Sequence, residues 1–336
     1  MTKDYTFYSC DREKQAKSLK KDQLLKCLEN MVLIRIFEMK AEMAYLKGKM
    51  GGFFHSYQGQ EAIMTALYEV FGPNHWYAST YRCHGAALTL GASCNEVMAE
   101  LFGKSTGNAK GRGGSMHLYH ENLLGGFGIV GGQIPVATGA AFSSKYLKNG
   151  KMALCFLGDG TIPQGSFHES LNMASLWDLP CLYIIENNIW GMGTHFKDAN
   201  CISPLAEKIA PRYDMEYYTI DGVQFFDLVT AFKEIYEKMK KTSRPILIEV
   251  VTNRFRGHSI SDPGIYRSKE DVKHAMQNLD PIKVFKEQLL SFGLMNDTQF
   301  DKIENVCEKK VLDALEFAEK SPWPDPVELE EDVFAK

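Results

Sequence analysis

Three short apolar runs leave little freedom in the choice of fold: "MALCFLG" at 152–158, "CLYIIE" at 181–186 and "PILIEVV" at 245–251. They are continuous rather than alternating, so both faces of each strand are expected to be buried. That is the pattern of a parallel sheet covered by helices on both sides. "WYAST" at 76–80 and "EYYTID" at 216–221 read as further strands, and helical periodicity fills 21–47, 59–72, 86–91, 95–103, 134–147, 165–177 and 224–240. The alternation predicts an α/β fold with a mainly parallel sheet and helices on both faces. We divide the chain into an N-terminal helical segment (1–50), an α/β domain (51–269) and a C-terminal helical extension (270–336) that includes the proline-rich "SPWPDPVE".

Composition removes several classes of function. With 45% hydrophobic and 24% charged residues among 336, the chain has the make-up of an ordinary globular protein. A formal net charge of −4 and dispersed lysines give no basic field for nucleic acid or an anionic membrane. No apolar run reaches the roughly 18 residues that a membrane span requires. The eight cysteines form no CxxC pair, and Cys155 and Cys181 fall inside strand-like runs, as expected of reduced, buried thiols. The start, "MTKDYTFYSCDREKQ", has neither a signal-peptide apolar core nor transit-peptide character. A cytoplasmic location is the expectation.

Two of the apolar runs end on short oxygen-bearing side chains. "ALCFLGDG" at 153–160 presents Asp159 and "CLYIIENN" at 181–188 presents Asn188. In a right-handed strand–helix–strand unit both strand ends lie on one edge of the sheet, where ligands bind. The spacing of 29 positions accommodates one intervening helix, so the two residues can converge. A carboxylate, an amide oxygen and nearby backbone carbonyls make the hard oxygen set that Mg²⁺ prefers, with diphosphate oxygens and water completing the octahedron. A helix beginning near Gln164 would aim free N–H groups at the same place. Asp and Asn are common turn formers, so either motif alone carries little weight; the pair at one-helix spacing carries much more.

"GDG" at 158–160 followed by "ENN" at 186–188 resembles the thiamin diphosphate and magnesium motif of thiamin-dependent enzymes. "GGFFHSYQGQEA" at 51–62, "YRCHG" at 81–85, "KGRGGSMHLY" at 110–119, "GGFGIVGGQIP" at 125–135, "ENNIWGMGT" at 186–194 and "FRGHSISDPGIYR" at 255–267 narrow the resemblance. Together they resemble the alpha subunit of the decarboxylating component of 2-oxoacid dehydrogenases, with pyruvate dehydrogenase the nearest such family. The resemblance implies a thiamin diphosphate-binding fold. It also implies that Asp159 and Asn188 hold Mg²⁺ by side chains and Trp190 by its main-chain oxygen. Gly160 and Thr161 would meet the diphosphate, and Tyr81 and Arg82 would reach it from another loop, Arg82 by a charge-assisted fork. Gly128 and Val130 would line the wall that holds the aminopyrimidine bent. His258 would contact the diphosphate and His55 would lie near the substrate. Histidines titrate near neutrality, so His55, His84 and His258 are candidates for moving protons, although His84 could equally be a packing residue at a helix start.

The resemblance further implies partners. The glutamate that activates the pyrimidine ring comes, in this family, from a separate beta subunit, so an α₂β₂ heterotetramer is expected, serving a lipoyl acyltransferase in a larger complex. Ser259 matches a serine that is a regulatory phosphorylation site in higher eukaryotes, while a second serine of that loop is missing; a bacterial-type subunit without kinase control is the expectation. Arg256 stands where the family often has histidine. Pyruvate is the expected 2-oxoacid, with acetoin or branched-chain substrates as alternatives. Two other classes were weighed. "GFGIVG" at 126–131 fits the G-x-G-x-x-G pattern of NAD- or FAD-binding oxidoreductases, but no apolar strand is expected before it and no acidic residue follows at the required distance. A non-catalytic scaffold subunit is opposed by retention of Asp159, Asn188 and Arg82.

Overall fold

A computed structural model describes residues 5–331. Six parallel strands form one sheet: β1 (Trp76–Thr80), β2 (Leu123–Phe127), β3 (Ala153–Gly158), β4 (Cys181–Asn187), β7 (Glu216–Asp221) and β8 (Ile246–Val251). Their spatial order is β2-β1-β3-β4-β8-β7. A two-stranded hairpin, β5 (Trp190–Gly191) with β6 (Thr194–His195), stands just beyond the end of β4. The order places β3 and β4 side by side in the middle, with every central residue buried.

The continuous apolar runs now have a physical explanation. Successive side chains of a strand point to opposite faces, so a strand covered on both faces offers a polar residue a place only where buried hydrogen-bond partners satisfy it, as they do Glu249 in β8. Leu154, Phe156, Leu182, Ile184, Ile246 and Ile248 belong to one hydrophobic cluster, with helices Lys21–Leu46, Glu61–Phe71, Phe225–Thr242, Pro281–Ser291 and Asp297–Lys320. Cys155, Leu157, Tyr183, Ile185 and Leu247 belong to a second, with helices Gln133–Leu147 and Gly165–Leu176. The first cluster draws residues from Ala16 to Ala318, so the N- and C-terminal helices and the sheet share a core. No helix among the described residues is long and apolar enough to cross a membrane.

One strand runs against expectation. "LLGGF" at 123–127, which precedes and overlaps "GFGIVG", forms β2, although two glycines give it little intrinsic strand tendency. Pairing with β1 supplies what propensity lacks, with an irregular register between Tyr77 and Ser79. A strand–turn–helix unit therefore does surround "GFGIVG". Gly126 nevertheless lies inside the strand, whereas the dinucleotide fingerprint needs its glycines in the turn after the strand.

Three helices are tied together by one arginine. Arg35, on Lys21–Leu46, donates from Nε to Glu61 Oε1 at 2.5 Å and from Nη1 to Asp280 Oδ2 at 3.0 Å. Glu61 opens Glu61–Phe71 and is fully buried, while Asp280 caps Pro281–Ser291. Removing the arginine strands a buried carboxylate. Arg35→Ala is expected to lower the unfolding free energy by about 3–5 kcal/mol, with only partial recovery in Arg35→Lys, as read by denaturant titration.

Candidate active site

A cavity of about 1150 Å³ opens at the carboxyl edge of the sheet. Its wall includes His55, Tyr81, Arg82, Gly128, Val130, Asp159, Gly160, Thr161, Asn188, Trp190 and His258. All but one of the residues singled out from sequence therefore meet around one space, because the strands that precede all of them except His55 end on one edge.

Asp159 and Asn188 sit where β3 and β4 finish, 1% and 8% exposed. Asn188 donates from Nδ2 to Gln60 Oε1 at 3.3 Å, which turns its oxygen away from that contact. Asp159 Oδ2 and Asn188 Oδ1 are both buried without a hydrogen-bond partner. Leaving two buried oxygens unsatisfied costs several kcal/mol on the order of 1–3 each, so their pairing in one cavity fits a ligand that supplies positive charge. Burial raises the Asp159 carboxyl to about 6 against the pull of Arg254. A Cβ on Gly191 would come within 3.3 Å of Gly160 Cα, so the β5 turn and the Asp159–Thr161 turn touch backbone to backbone. Ile189 and Met192, which bracket Trp190, hold φ of 77° and 52°, sparsely populated values for such residues.

Two arginines are buried beside this acid. Arg82 donates from Nη1 to the Ser56 carbonyl at 2.8 Å and from Nη2 to the His258 carbonyl at 2.6 Å. Burial, and then Arg254, lower its pKa to about 10. Arg254, 2% exposed, donates from Nη2 to the Met192 carbonyl at 3.3 Å and retains a buried, unpartnered Nε. Its importance was missed in the sequence because it follows β8 by three residues in a stretch, "TNRFRG", with no motif of its own.

Of the cavity's histidines, His55 and His258 differ in tautomer. His55 Nδ1 lies 2.8 Å from the His258 carbonyl, which only accepts, so this nitrogen carries the proton and Nε2 is left with a lone pair. His258 Nδ1 lies 3.0 Å from Arg254 Nη1, which only donates, so here Nδ1 has the lone pair and Nε2 the proton. Burial first, and Arg82 second, bring His55 down to about 4 and His258 to about 3. Both are neutral near pH 7, one able to accept a proton and the other to donate a hydrogen bond.

His84 does not belong to this group. It is fully buried, with Nδ1 3.1 Å from Glu38 Oε1 and Nε2 2.8 Å from the Ser115 carbonyl, and it does not line the cavity. Both ring nitrogens face acceptors, and although burial opposes charge, Glu38 raises its pKa. The proton role suggested for His84 gives way to a buried ion pair that pins the start of helix His84–Thr89. Ser259 is 7% exposed and bonded to Ser261 Oγ at 2.9 Å, and Arg256 pairs with Glu42 at 2.9 Å.

Other wall residues escaped the sequence reading. Glu186, the first residue of "ENN", lines the cavity and accepts the Tyr57 hydroxyl at 2.5 Å; burial pushes it up to about 7. The carboxylate of Glu100 takes the N–H groups of Ala109, Gly111 and Gly113 at 2.7, 2.9 and 2.7 Å, folding "GNAKGRGG" into the wall. A Cβ on Gly128 would lie 2.7 Å from His117 Nε2, so only glycine lets that ring pack there.

A doubly covered parallel sheet with buried acid, amide and arginine groups converging at its carboxyl edge defines an α/β enzyme that binds its ligand at that edge. The chain belongs to the dehydrogenase E1 component family, whose pattern matches residues 29–327 and whose enzymes depend on thiamin diphosphate. It is 40% identical over 327 residues to the pyruvate dehydrogenase E1 component subunit alpha-3, chloroplastic, of Oryza sativa subsp. japonica, covering 94% of this chain and 76% of the relative. It is 38% identical over 316 residues to the pyruvate dehydrogenase E1 component subunit alpha of Rickettsia felis, covering 94% and 96%. The namesake subunit of Rhizobium meliloti is 38% identical over 316 residues, covering 94% and 90%.

The depressed histidines set a pH dependence. An unfolded histidine protonates near about 6.5, whereas folded His55 and His258 stay neutral to about 4 and about 3. Their contribution is fully present above about 6.5 and is lost as pH falls through the folded values, because the unfolded chain takes up protons first. The thermal midpoint of the wild type should fall between pH 7.5 and 5.0 by more than that of the His55→Gln/His258→Gln double variant. An equal fall in both would contradict the assignment.

Proposed function

We propose that this chain is the alpha subunit of a pyruvate dehydrogenase E1 enzyme, and that it holds the diphosphate of thiamin diphosphate and Mg²⁺ at the ends of β3 and β4. The observation that carries the proposal is the pair of buried, unpartnered oxygens, Asp159 Oδ2 and Asn188 Oδ1, facing one cavity. Hard oxygen donors of this kind suit Mg²⁺, and the main-chain oxygen of Trp190 is the third protein ligand in our reading. Gly160 and Thr161, in the turn after β3, would hold the diphosphate, and Tyr81, Arg82 and His258, which line the same cavity, would reach it from other loops. Gly128 and Val130, also in the cavity wall, would hold the aminopyrimidine.

When bound, the cofactor supplies the electron sink that makes decarboxylation of a 2-oxoacid feasible. The protein's part is to orient it, exclude water and handle protons. Neutral His55 offers a lone pair at Nε2, and neutral His258 offers an N–H, so one can accept and the other can stabilise negative charge. Buried Arg82 and Arg254 offset the diphosphate charge in a setting where water screens little.

The chain is proposed to act within an α₂β₂ heterotetramer, the beta subunit contributing the glutamate for the pyrimidine ring, and to pass an acetyl group to the lipoyl group of an acyltransferase. Pyruvate is the proposed substrate, in keeping with the names of the relatives. Single thiols such as Cys155 and Cys181, buried and unpaired, suit a reducing compartment, and the cytoplasm is the proposed location.

The test is dye-linked 2-oxoacid oxidation by this chain mixed with its beta partner, with thiamin diphosphate and Mg²⁺ supplied or withheld. Pyruvate turnover should require both chains and both additions. Asp159→Asn should cut it by more than about a hundredfold, beyond the 10–100-fold range of contacts outside the first ligand sphere. Preference for acetoin or a branched-chain 2-oxoacid would change the substrate, and turnover by this chain without a partner would overturn the proposal.

A further inference from the structure

Asn187 lies between two cavity residues, Glu186 and Asn188, yet it points the other way and is fully buried. Its Oδ1 accepts the N–H of Ile189 at 3.0 Å, closing the left-handed turn that carries Asn188 and leads to Trp190. Its Nδ2 donates to Glu249 Oε1 at 2.7 Å. Glu249, on β8 and 0% exposed, is in turn a four-fold acceptor: Oε1 also takes the Tyr5 hydroxyl at 3.2 Å, and Oε2 takes the N–H groups of Leu205 and Ala206 at 2.7 and 3.1 Å. Nothing in this cluster lines the cavity.

A buried carboxylate in mid-strand is costly, and the core here is otherwise apolar. Its hydrogen bonds satisfy it, but a leucine would need none of them. What the carboxylate adds is direction: it fixes the orientation of one amide, and that amide fixes a strained β-branched turn. Tyr5 arrives from an arm that is itself anchored. Tyr8 bridges Ile220 and donates its N–H to the Thr219 carbonyl at 2.7 Å, and Arg12 grips buried Asp227 with Nη2 to Oδ2 at 2.7 Å. The arm thus runs along the free edge of β7 and ends on the carboxylate behind the site.

We propose that Tyr5, Glu249 and Asn187 are positioning residues for the cation-binding turn, so that the N-terminal arm sets the affinity of the site for Mg²⁺ without touching the ligand. The proposal rests on the assignment of Asn188 and Trp190 to Mg²⁺ made above. Ligand orientation from behind is worth 10–100-fold in metal affinity in sites where it has been dissected. Loss of the Tyr5 hydroxyl removes one of the four hydrogen bonds that Glu249 accepts and also an acceptor of Asn187 Nδ2; Glu249→Gln faces an NH₂ group toward at least one of the donors around residue 249.

The experiment is a Mg²⁺ titration of the assembled alpha–beta protein at saturating thiamin diphosphate, followed by calorimetry, for the wild type, Tyr5→Phe, Glu249→Gln and Val311→Ala. Val311 is a buried residue of Asp297–Lys320 and controls for simple loss of stability. The expected result is a Mg²⁺ dissociation constant raised about tenfold in Glu249→Gln and about threefold in Tyr5→Phe, with turnover restored by excess Mg²⁺. Val311→Ala should lower the thermal midpoint and leave the constant unchanged. Should Glu249→Gln fail to fold, Tyr5→Phe, which removes one oxygen from an arm, decides alone. Wild-type affinity in the folded variants overturns the inference while leaving the proposed function intact; failure of the wild type itself to bind Mg²⁺ overturns both.

Discussion

Six strands running one way put every carboxyl end on the same edge of the sheet, and the site depends on that single directional constraint. Because helices cover both faces, the strand interiors are mainly apolar, Glu249 of β8 being an exception, and polar side chains collect where the strands stop. Asp159 and Asn188 are the clearest product. Neighbouring strands β3 and β4 hold Gly158 and Glu186 in register, so Asp159, one residue on, and Asn188, two residues on, emerge from adjacent strand ends.

Electrostatics then decides what the cavity admits. Arg82 and Arg254 are both buried, and burial first and the Arg254 charge second lower the Arg82 pKa, although Glu38 and Glu186 oppose the shift. Burial first, and the Arg82 charge second, keep His55 and His258 neutral. The proposed ligand, a polyanion that brings its own divalent cation, would answer these features together, the cation meeting the unpartnered oxygens and the anion the guanidinium groups. A neutral ligand would leave both sets of charges unrelieved.

The sheet was legible in the sequence wherever the apolar run was continuous, as in β3, β4 and β8, because burial on both faces removes ambiguity. β2 was not, since its glycines owe their strand conformation to β1 rather than to themselves. Asp159 and Asn188 could be paired from spacing alone. The sorting of the histidines could not: His55 and His84 look alike in the chain, and only the Glu38 carboxylate, 46 positions from His84, makes the latter structural. Long separations hid the rest. Tyr5 meets Glu249 across 244 positions and Tyr57 meets Glu186 across 129, contacts that no local pattern announces.

The central claim is that the two strand-end oxygens hold a divalent cation. Anomalous diffraction at the manganese edge, from crystals of the alpha–beta protein grown with Mn²⁺ and thiamin diphosphate, tests it most directly. The account predicts one strong peak within about 2.0–2.3 Å of both Asp159 Oδ2 and Asn188 Oδ1, at oxygen-ligand distances typical of a small hard cation. A peak elsewhere in the cavity, or bound cofactor whose cation touches neither residue, would contradict it.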